Sequence, residues 1–112
     1  MTTSINEPFN DLTDAEAERL ALLLEELGEA TQAIGKILRH GYQSYNPLTA
    51  GKSDSNREAL ERELGHVRHA IDRLTLARDL NALAIQGAMR VKADRISRWL
   101  HHQLPARDGA AK

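Results

Sequence analysis

Apolar residues recur every three or four positions along two long segments of the chain, the spacing that places them on one face of an α-helix. The first segment opens with a capping box at Thr13–Glu16, and Gly41 is suited to end it with a positive φ angle. We therefore predict a first helix from about Asp14 to His40. Its predicted apolar stripe consists of Leu20, Leu23, Leu27, Ala30, Ile34 and Leu38.

A second capping box, at Ser55–Glu58, predicts the start of a second helix. Its predicted apolar face consists of Leu60, Leu64, Val67, Ile71 and Leu74, and we expect it to end or bend near residues 78–81. Residues 42–55 lack a helical period and collect Gly, Pro, Asn and Ser, which predicts a loop. A short Leu/Ala segment at 80–85 and a break at Gly87 should precede a third helix. Its predicted inward residues are Met89, Ala93, Ile96 and Leu100.

Composition favours an all-α fold, because Leu and Ala number 16 each and aromatic residues make up only 4% of the 112 residues. We predict an N-terminal arm (residues 1–12), one helical domain (13–104) and a disordered tail (105–112). A chain of this length has a thin core as a monomer. Association with copies of itself is therefore expected.

The charge balance and the residue types present limit the possible functions. The formal net charge is −1, so no overall positive field favours nucleic acid as a partner. With no cysteine, the chain has neither disulfides nor a thiolate metal site, which fits a reducing cytoplasm. The longest unbroken apolar run, Leu20–Leu24, is too short to span a membrane. We expect a soluble, cytoplasmic protein whose metal ligands, if any, are oxygens or imidazoles.

The two long helices share a short internal similarity. Residues 26–34 and 63–71 have the same Glu, Leu, Gly, Ala and Ile at five of nine positions. Because a glycine inside a helix costs about 1 kcal/mol relative to alanine, Gly28 and Gly65 at matched positions suggest that the two helices approach closely there. Chance similarity between two amphipathic helices is the alternative explanation.

The matched segments place acidic side chains at the margin of the predicted core. Glu26 and Glu29 border the apolar stripe of the first helix, and Glu63 and His66 border that of the second. If the stripes pack together, three carboxylates and an imidazole converge, and a divalent cation is the simplest way to relieve the repulsion. Substrate phosphates commonly complete the coordination of such ions, and Lys36, further along the same side of the first helix, is suited to bind a phosphate oxygen. An ordinary solvated helix face is the competing interpretation.

These motifs resemble those of the all-α nucleoside triphosphate pyrophosphohydrolase superfamily, and most closely the short phage-type MazG-like proteins. The resemblance covers roughly residues 20–74. It rests on the segments Glu25-Glu26-Leu27-Gly28-Glu29, Lys36-Ile37-Leu38-Arg39-His40-Gly41, Asn56-Arg57-Glu58 and Glu63-Leu64-Gly65-His66. The family signature is Glu-Glu-x-x-Glu on one helix and Glu-x-x-Asp on the next, and it binds Mg²⁺.

The resemblance implies an antiparallel helical bundle, assembled as a homodimer or homotetramer, that hydrolyses nucleoside triphosphates to monophosphate and pyrophosphate. Such an activity would remove unwanted nucleotides from the pool. Glu26, Glu29 and Glu63 then correspond to ligands of Mg²⁺, with Mn²⁺ or another divalent ion as alternatives. Glu25 and Lys36 are the candidate catalytic residues: Glu25 would orient water or a ligand, and Lys36 would contact a phosphate. The candidate substrate-binding residues are Lys36, Arg39, Asn56, Lys92 and Arg95.

His66 stands where the family pattern has Asp. Three interpretations remain open: a softer metal bound by His66, one Mg²⁺ bound by the three glutamates with His66 merely nearby, or loss of catalysis. A histidine bonded only to a backbone carbonyl is a further possibility. The alternative function is a catalytically silent helical oligomer that binds a nucleotide or a protein partner, and a purely structural helical module is the third.

Overall fold

The structure is a computed structural model that describes residues 10–45, 48 and 54–103. It contains three α-helices, α1 (Asp14–His40), α2 (Asn56–Leu76) and α3 (Ala82–Arg95), and a short 3₁₀ helix at Ile96–Arg98. The described residues form no strand, which confirms the all-α prediction. The chain divides into two compact units, Met1–Leu80 and Asn81–Lys112. Among the described residues, no helix has the length and apolar character needed to cross a membrane.

Both predicted capping boxes are formed. The Glu16 amide donates to Thr13 Oγ1 at 3.1 Å, and the Thr13 amide donates to Glu16 Oε1 at 2.8 Å. At the start of α2, Ser55 and Glu58 exchange the same two bonds at 3.2 and 3.0 Å. Gly41 ends α1 with φ at +87°, and its amide donates to the Ile37 carbonyl at 2.7 Å. The predicted boundaries of α1 and the predicted start of α2 are therefore confirmed.

In the first unit, α1 and α2 form an antiparallel hairpin, tied at both of its ends. At one end Arg19 donates two hydrogen bonds to Asp79, at 2.6 and 3.1 Å. At the other end the Asn56 side-chain amide donates to the Gly41 carbonyl at 3.1 Å, and the Asn56 backbone amide donates to the Ser44 carbonyl at 2.7 Å. Early residues of α1 therefore lie beside the last residues of the hairpin, and the two helices keep one register.

The hairpin buries a narrow seam of mostly small residues, which are Ala30, Ala33, Val67, Ala70 and Leu74. The apolar stripe predicted for α1 is buried only in part, because α1 is paired with a single helix in this unit. Leu20, Leu27, Ile34 and Leu38 are 42–82% exposed, so their assignment to the core is wrong for this unit. On α2, Leu64 is 46% exposed while Val67 and Leu74 are buried.

The predicted close approach at the two matched glycines is wrong. A Cβ atom built on Gly28 or on Gly65 would meet nothing within 4 Å. The hairpin achieves its close packing through the buried alanines of the seam instead.

In the second unit, helix α3 differs from the prediction in its continuity and in which of its residues are buried. Helix α3 continues through Gly87, where the sequence predicts a break. It is capped by Asn81, whose side chain accepts a hydrogen bond from the Ala84 amide at 3.0 Å. One glycine costs a helix only about 1 kcal/mol, which does not outweigh a capped start and flanking helix-forming residues. Met89 is 64% exposed, Leu100 is 46% exposed and Ala93 is also exposed, so the predicted inward placement of these three residues is wrong.

Several predictions fall on parts of the chain outside the described residues. Most of the N-terminal arm (1–12) and the whole tail (105–112) lie there, so the expected disorder of the tail stays a prediction. In the loop 42–55, the described residues form no helix, and Tyr45 and Ser55 make an isolated antiparallel bridge.

Candidate metal centre

The antiparallel register of the hairpin brings four polar side chains together. Glu26 and Glu29 are one turn apart on α1, and Glu63 and His66 are one turn apart on α2. Each of the four offers a ligand atom, and these atoms all lie within 4.8 Å of one another. The convergence predicted from the matched segments is therefore present.

The imidazole of His66 faces two of the carboxylates. Its Nδ1 lies 3.2 Å from Glu63 Oε1 and 3.6 Å from Glu26 Oε1. The side chains of Glu26 and Glu63 are only 16% exposed, whereas that of His66 is 49% exposed. The carboxylates thus form the floor of the cluster and the imidazole forms its open side.

One oxygen of the cluster lacks a hydrogen-bond donor. Glu26 Oε1 is buried and has no hydrogen-bond partner among the described residues. A buried polar atom left unsatisfied costs about 1–3 kcal/mol, and more when it is charged. A cation held by the neighbouring oxygens would satisfy this atom, so the residues present fit a divalent metal ion.

The carboxylates also disturb one another's ionisation. The pKa of Glu29 is raised above 4.5, first by a hydrogen bond with Glu63, then by burial and by the negative charges of Glu63, Glu26 and Glu25. A raised carboxyl pKa means that Glu29 takes up a proton more readily than an isolated glutamate does. The same closeness of negative charges that favours a proton also favours a bound cation.

The surrounding cations neutralise this cluster only weakly. Arg62 Nε is 3.9 Å from Glu63 Oε2, but the Arg62 guanidinium donates to Asp54. The pKa of Arg62 is raised chiefly by that hydrogen bond with Asp54. The sequence pattern does not predict this pair, because Asp54 lies in the loop, eight residues from Arg62, where no helical spacing implies a contact.

The other predicted site residues on α1 lie outside the cluster of four. Glu25 is exposed and acts on the cluster through its charge. Lys36 is seven residues beyond Glu29, which is about 10 Å along a helix axis, and Arg39 is one turn further. Both basic residues are exposed, so the roles proposed for them in phosphate binding stay predictions.

The remaining predicted substrate contacts are divided between the two units. The side-chain amide of Asn56 is engaged with the Gly41 carbonyl, an interaction that ties the hairpin. Lys92 and Arg95 lie on α3 in the second unit, where they line an open groove with Trp99. Their predicted role in substrate binding stays a prediction.

Two basic side chains of α2 make contacts within the first unit. The Arg57 guanidinium lies 4.5 Å from the centre of the Tyr42 ring, a cation–π contact between α2 and the start of the loop. Arg73 donates to His69 Nε2 at 3.0 Å, and His69 lies outside the cluster.

Comparison of the chain with protein-family models, with curated proteins and with solved structures finds no match. The interpretation of the cluster therefore rests on its own geometry and chemistry.

Proposed function

We propose that this protein is a metal-dependent nucleoside triphosphate pyrophosphohydrolase of the MazG-like type, which acts in the cytoplasm as a homo-oligomer. The observation that carries the proposal is the cluster of Glu26, Glu29, Glu63 and His66 around one buried carboxylate oxygen without a donor. The resemblance of the two acidic motifs to that superfamily supports the same chemistry. The reaction would add water across the bond between the α and β phosphates, releasing a nucleoside monophosphate and pyrophosphate.

The four side chains of the cluster would hold the metal ion. When bound, a divalent cation polarises phosphate oxygens and lowers the pKa of water, and substrate phosphates can complete its coordination. Glu26 and Glu63, both largely buried, would position the ion against the hairpin. Glu25, exposed one residue before Glu26, would orient water, and Lys36 would bind a phosphate oxygen as a point charge.

His66 bears on the choice of metal. Three carboxylates suit Mg²⁺, but an imidazole ligand favours Mn²⁺, Co²⁺ or Zn²⁺ over Mg²⁺. Because Nδ1 of His66 lies 3.2 and 3.6 Å from two of the carboxylates, His66 could supply a fourth ligand. We therefore expect higher activity with Mn²⁺ than with Mg²⁺.

The test is turnover by the full chain on a panel of nucleoside triphosphates with Mg²⁺ or Mn²⁺, with monophosphate and pyrophosphate measured separately. We expect Glu63→Gln to lower the rate by about 100-fold or more, since loss of groups that only support a metal ligand already costs about 10–100-fold. Glu61→Gln is the matched control, because Glu61 is an exposed glutamate of the same helix, outside the cluster. Absence of turnover with either metal, or equal rates for the two variants, would contradict the proposal.

A second candidate function is a catalytically silent oligomer that binds a nucleotide or a protein. The position of His66 favours this candidate. If its imidazole carries a proton, the positive charge beside Glu26 and Glu63 neutralises part of the cluster without a metal. This candidate predicts binding of nucleotide in calorimetry without release of pyrophosphate. A gain of turnover in His66→Asp would then identify a site that has lost its activity.

A further inference from the structure

One side of α1 carries an apolar stripe that the hairpin leaves exposed. Its members recur at alternating intervals of four and three residues, the heptad spacing of a helix that packs along a second helix. The stripe consists of Leu20, Leu24, Leu27, Thr31, Ile34 and Leu38. Its five apolar members are 42, 72, 46, 45 and 82% exposed in chain order. We refer to these six residues as the heptad stripe.

The heptad stripe lies on the opposite side of the hairpin from the cluster of Glu26, Glu29, Glu63 and His66. At 100° per residue, Leu24 is about 160° around α1 from Glu26, and the buried Ala30 lies between them. A helix that covered the heptad stripe would therefore leave the cluster open.

The order of residues in the heptad stripe suits antiparallel packing of α1 against the α1 of a second copy. If two α1 helices cross about a two-fold axis at the level of residue 29, Leu20 faces Leu38 of the second copy, and Leu24 faces Ile34. Leu27 then faces Thr31, so every position of the stripe has a partner. The Thr31 hydroxyl already donates to the Leu27 carbonyl of its own helix at 2.8 Å, so its burial would leave no donor unsatisfied.

The charges of α1 match the same arrangement. Residues 14–29 contain six acidic side chains and one basic side chain. Residues 30–40 contain no acidic side chain and carry Lys36, Arg39 and His40. An antiparallel pair places the acidic half of each helix beside the basic half of the other, whereas a parallel pair would place like charges together.

Small residues border the heptad stripe on its solvent side. Ala21, Gly28 and Gly35 follow at intervals of seven, and a Cβ built on Gly28 would meet nothing within 4 Å. These positions give a second helix room to approach α1 closely.

We propose that the heptad stripe is the surface through which two copies of this chain associate, by antiparallel packing of α1 against α1 about a two-fold axis. Two observations indicate that the partner is a second copy. The residues of the heptad stripe pair with one another in an antiparallel arrangement, and the acidic half of α1 then lies beside the basic half of the other copy. This inference does not depend on the metal cluster or on its proposed activity.

The first test is the mass of the full chain in solution by sedimentation equilibrium. We expect a species of at least twice the 12.5 kDa of the chain. Leu24→Lys places two charges in each pair of helices and should weaken association by about 100-fold or more. Leu76→Lys is the matched control, because Leu76 is 82% exposed on α2 outside the stripe, and it should keep the parent mass. A monomeric parent, or a Leu24→Lys variant of unchanged mass, would overturn the proposal.

The second test reports the direction of packing and does not require a destabilising variant. The chain has no cysteine, so single cysteines can be introduced as Leu20→Cys and as Leu38→Cys. A short bismaleimide should cross-link a mixture of the two variants and neither variant alone, because like positions would lie about 27 Å apart in the antiparallel pair. Cross-linking of each variant with itself, or no cross-linking of the mixture, would overturn the antiparallel arrangement.

Discussion

Asp79 and Glu29 show how neighbouring side chains in the hairpin shift the pKa values of two carboxyl groups in opposite directions. Arg19 donates two hydrogen bonds to Asp79, which lowers the pKa of this carboxyl below 3.8. Glu29 lies beside other carboxylates, which raise its pKa above 4.5. One carboxyl is thus held in its charged form and the other is pushed toward its neutral form.

The lowered pKa of Asp79 predicts how stability changes in acid. A carboxyl whose pKa is lower in the folded state contributes stability above its unfolded pKa, and this contribution is lost as the pH falls through its folded pKa. We expect Asp79→Asn to lower the melting temperature at neutral pH and to flatten its dependence on pH below about 4. Thermal melts between neutral and acidic pH measure both effects.

The matched control is Asp72→Asn, which changes an exposed aspartate of α2 that makes no ion pair among the described residues. The control should melt in acid as the parent does. If the melting temperature of Asp79→Asn falls in acid as far as those of the parent and of Asp72→Asn do, the contact with Arg19 contributes nothing to the acid dependence of stability.

At the scale of the helices, the two glycines shared by α1 and α2 differ in their surroundings. Gly65 lies on the outer side of α2, and Gly28 borders the heptad stripe of α1. A Cβ atom at either position would meet nothing within 4 Å. Only at Gly28 would a second copy of the chain, packed on the heptad stripe, fill that space.

We therefore expect Gly65→Ala to raise the free energy of unfolding by about 1 kcal/mol, the difference between glycine and alanine inside a helix. Gly28→Ala should gain less, because the added methyl group would keep a second α1 further away. Urea unfolding of the two variants at equal protein concentration makes the comparison. A larger gain at Gly28 than at Gly65 would count against close packing on that side of α1.

The helix boundaries could be predicted because their causes are local. A capping box needs only four consecutive residues, and a positive φ at Gly41 needs only one. The cluster could be predicted because the matched segments place Glu26 and Glu63 at the same margin of two helices. The burial of the α1 stripe could not, since it depends on how many helices surround α1. The Arg62–Asp54 pair depends on the path of a loop, which the helical period does not describe.

At the scale of the whole molecule, the proposed metal binding would be coupled to folding of the hairpin. The ligand atoms come from α1 and α2, so the cluster exists only while the two helices are packed together. An ion that binds only the folded state stabilises it by mass action, by about 2.7 kcal/mol at a concentration 100 times its dissociation constant. The proposed metal binding can therefore be tested by thermal stability, without any assay of activity.

We expect the melting temperature of the full chain to rise with Mn²⁺ concentration and to return to its starting value with a chelator. Glu26→Gln should remove most of this rise, whereas Glu61→Gln, outside the cluster, should retain it. Scanning calorimetry across a metal titration gives the comparison. A melting temperature that does not respond to Mn²⁺, or that responds equally in both variants, would contradict a metal site at the cluster.

The hydrogen bonds at the two ends of the hairpin affect how the carboxylates of the cluster between them relieve their electrostatic repulsion. Arg19–Asp79 and the bonds around Asn56 hold α1 and α2 together at both ends of the hairpin, so separation of the helices would break these contacts. Uptake of a proton or a cation relieves the repulsion among the carboxylates and leaves these contacts intact. The hairpin is therefore suited to answer a change in the charge of the cluster by binding a positive partner.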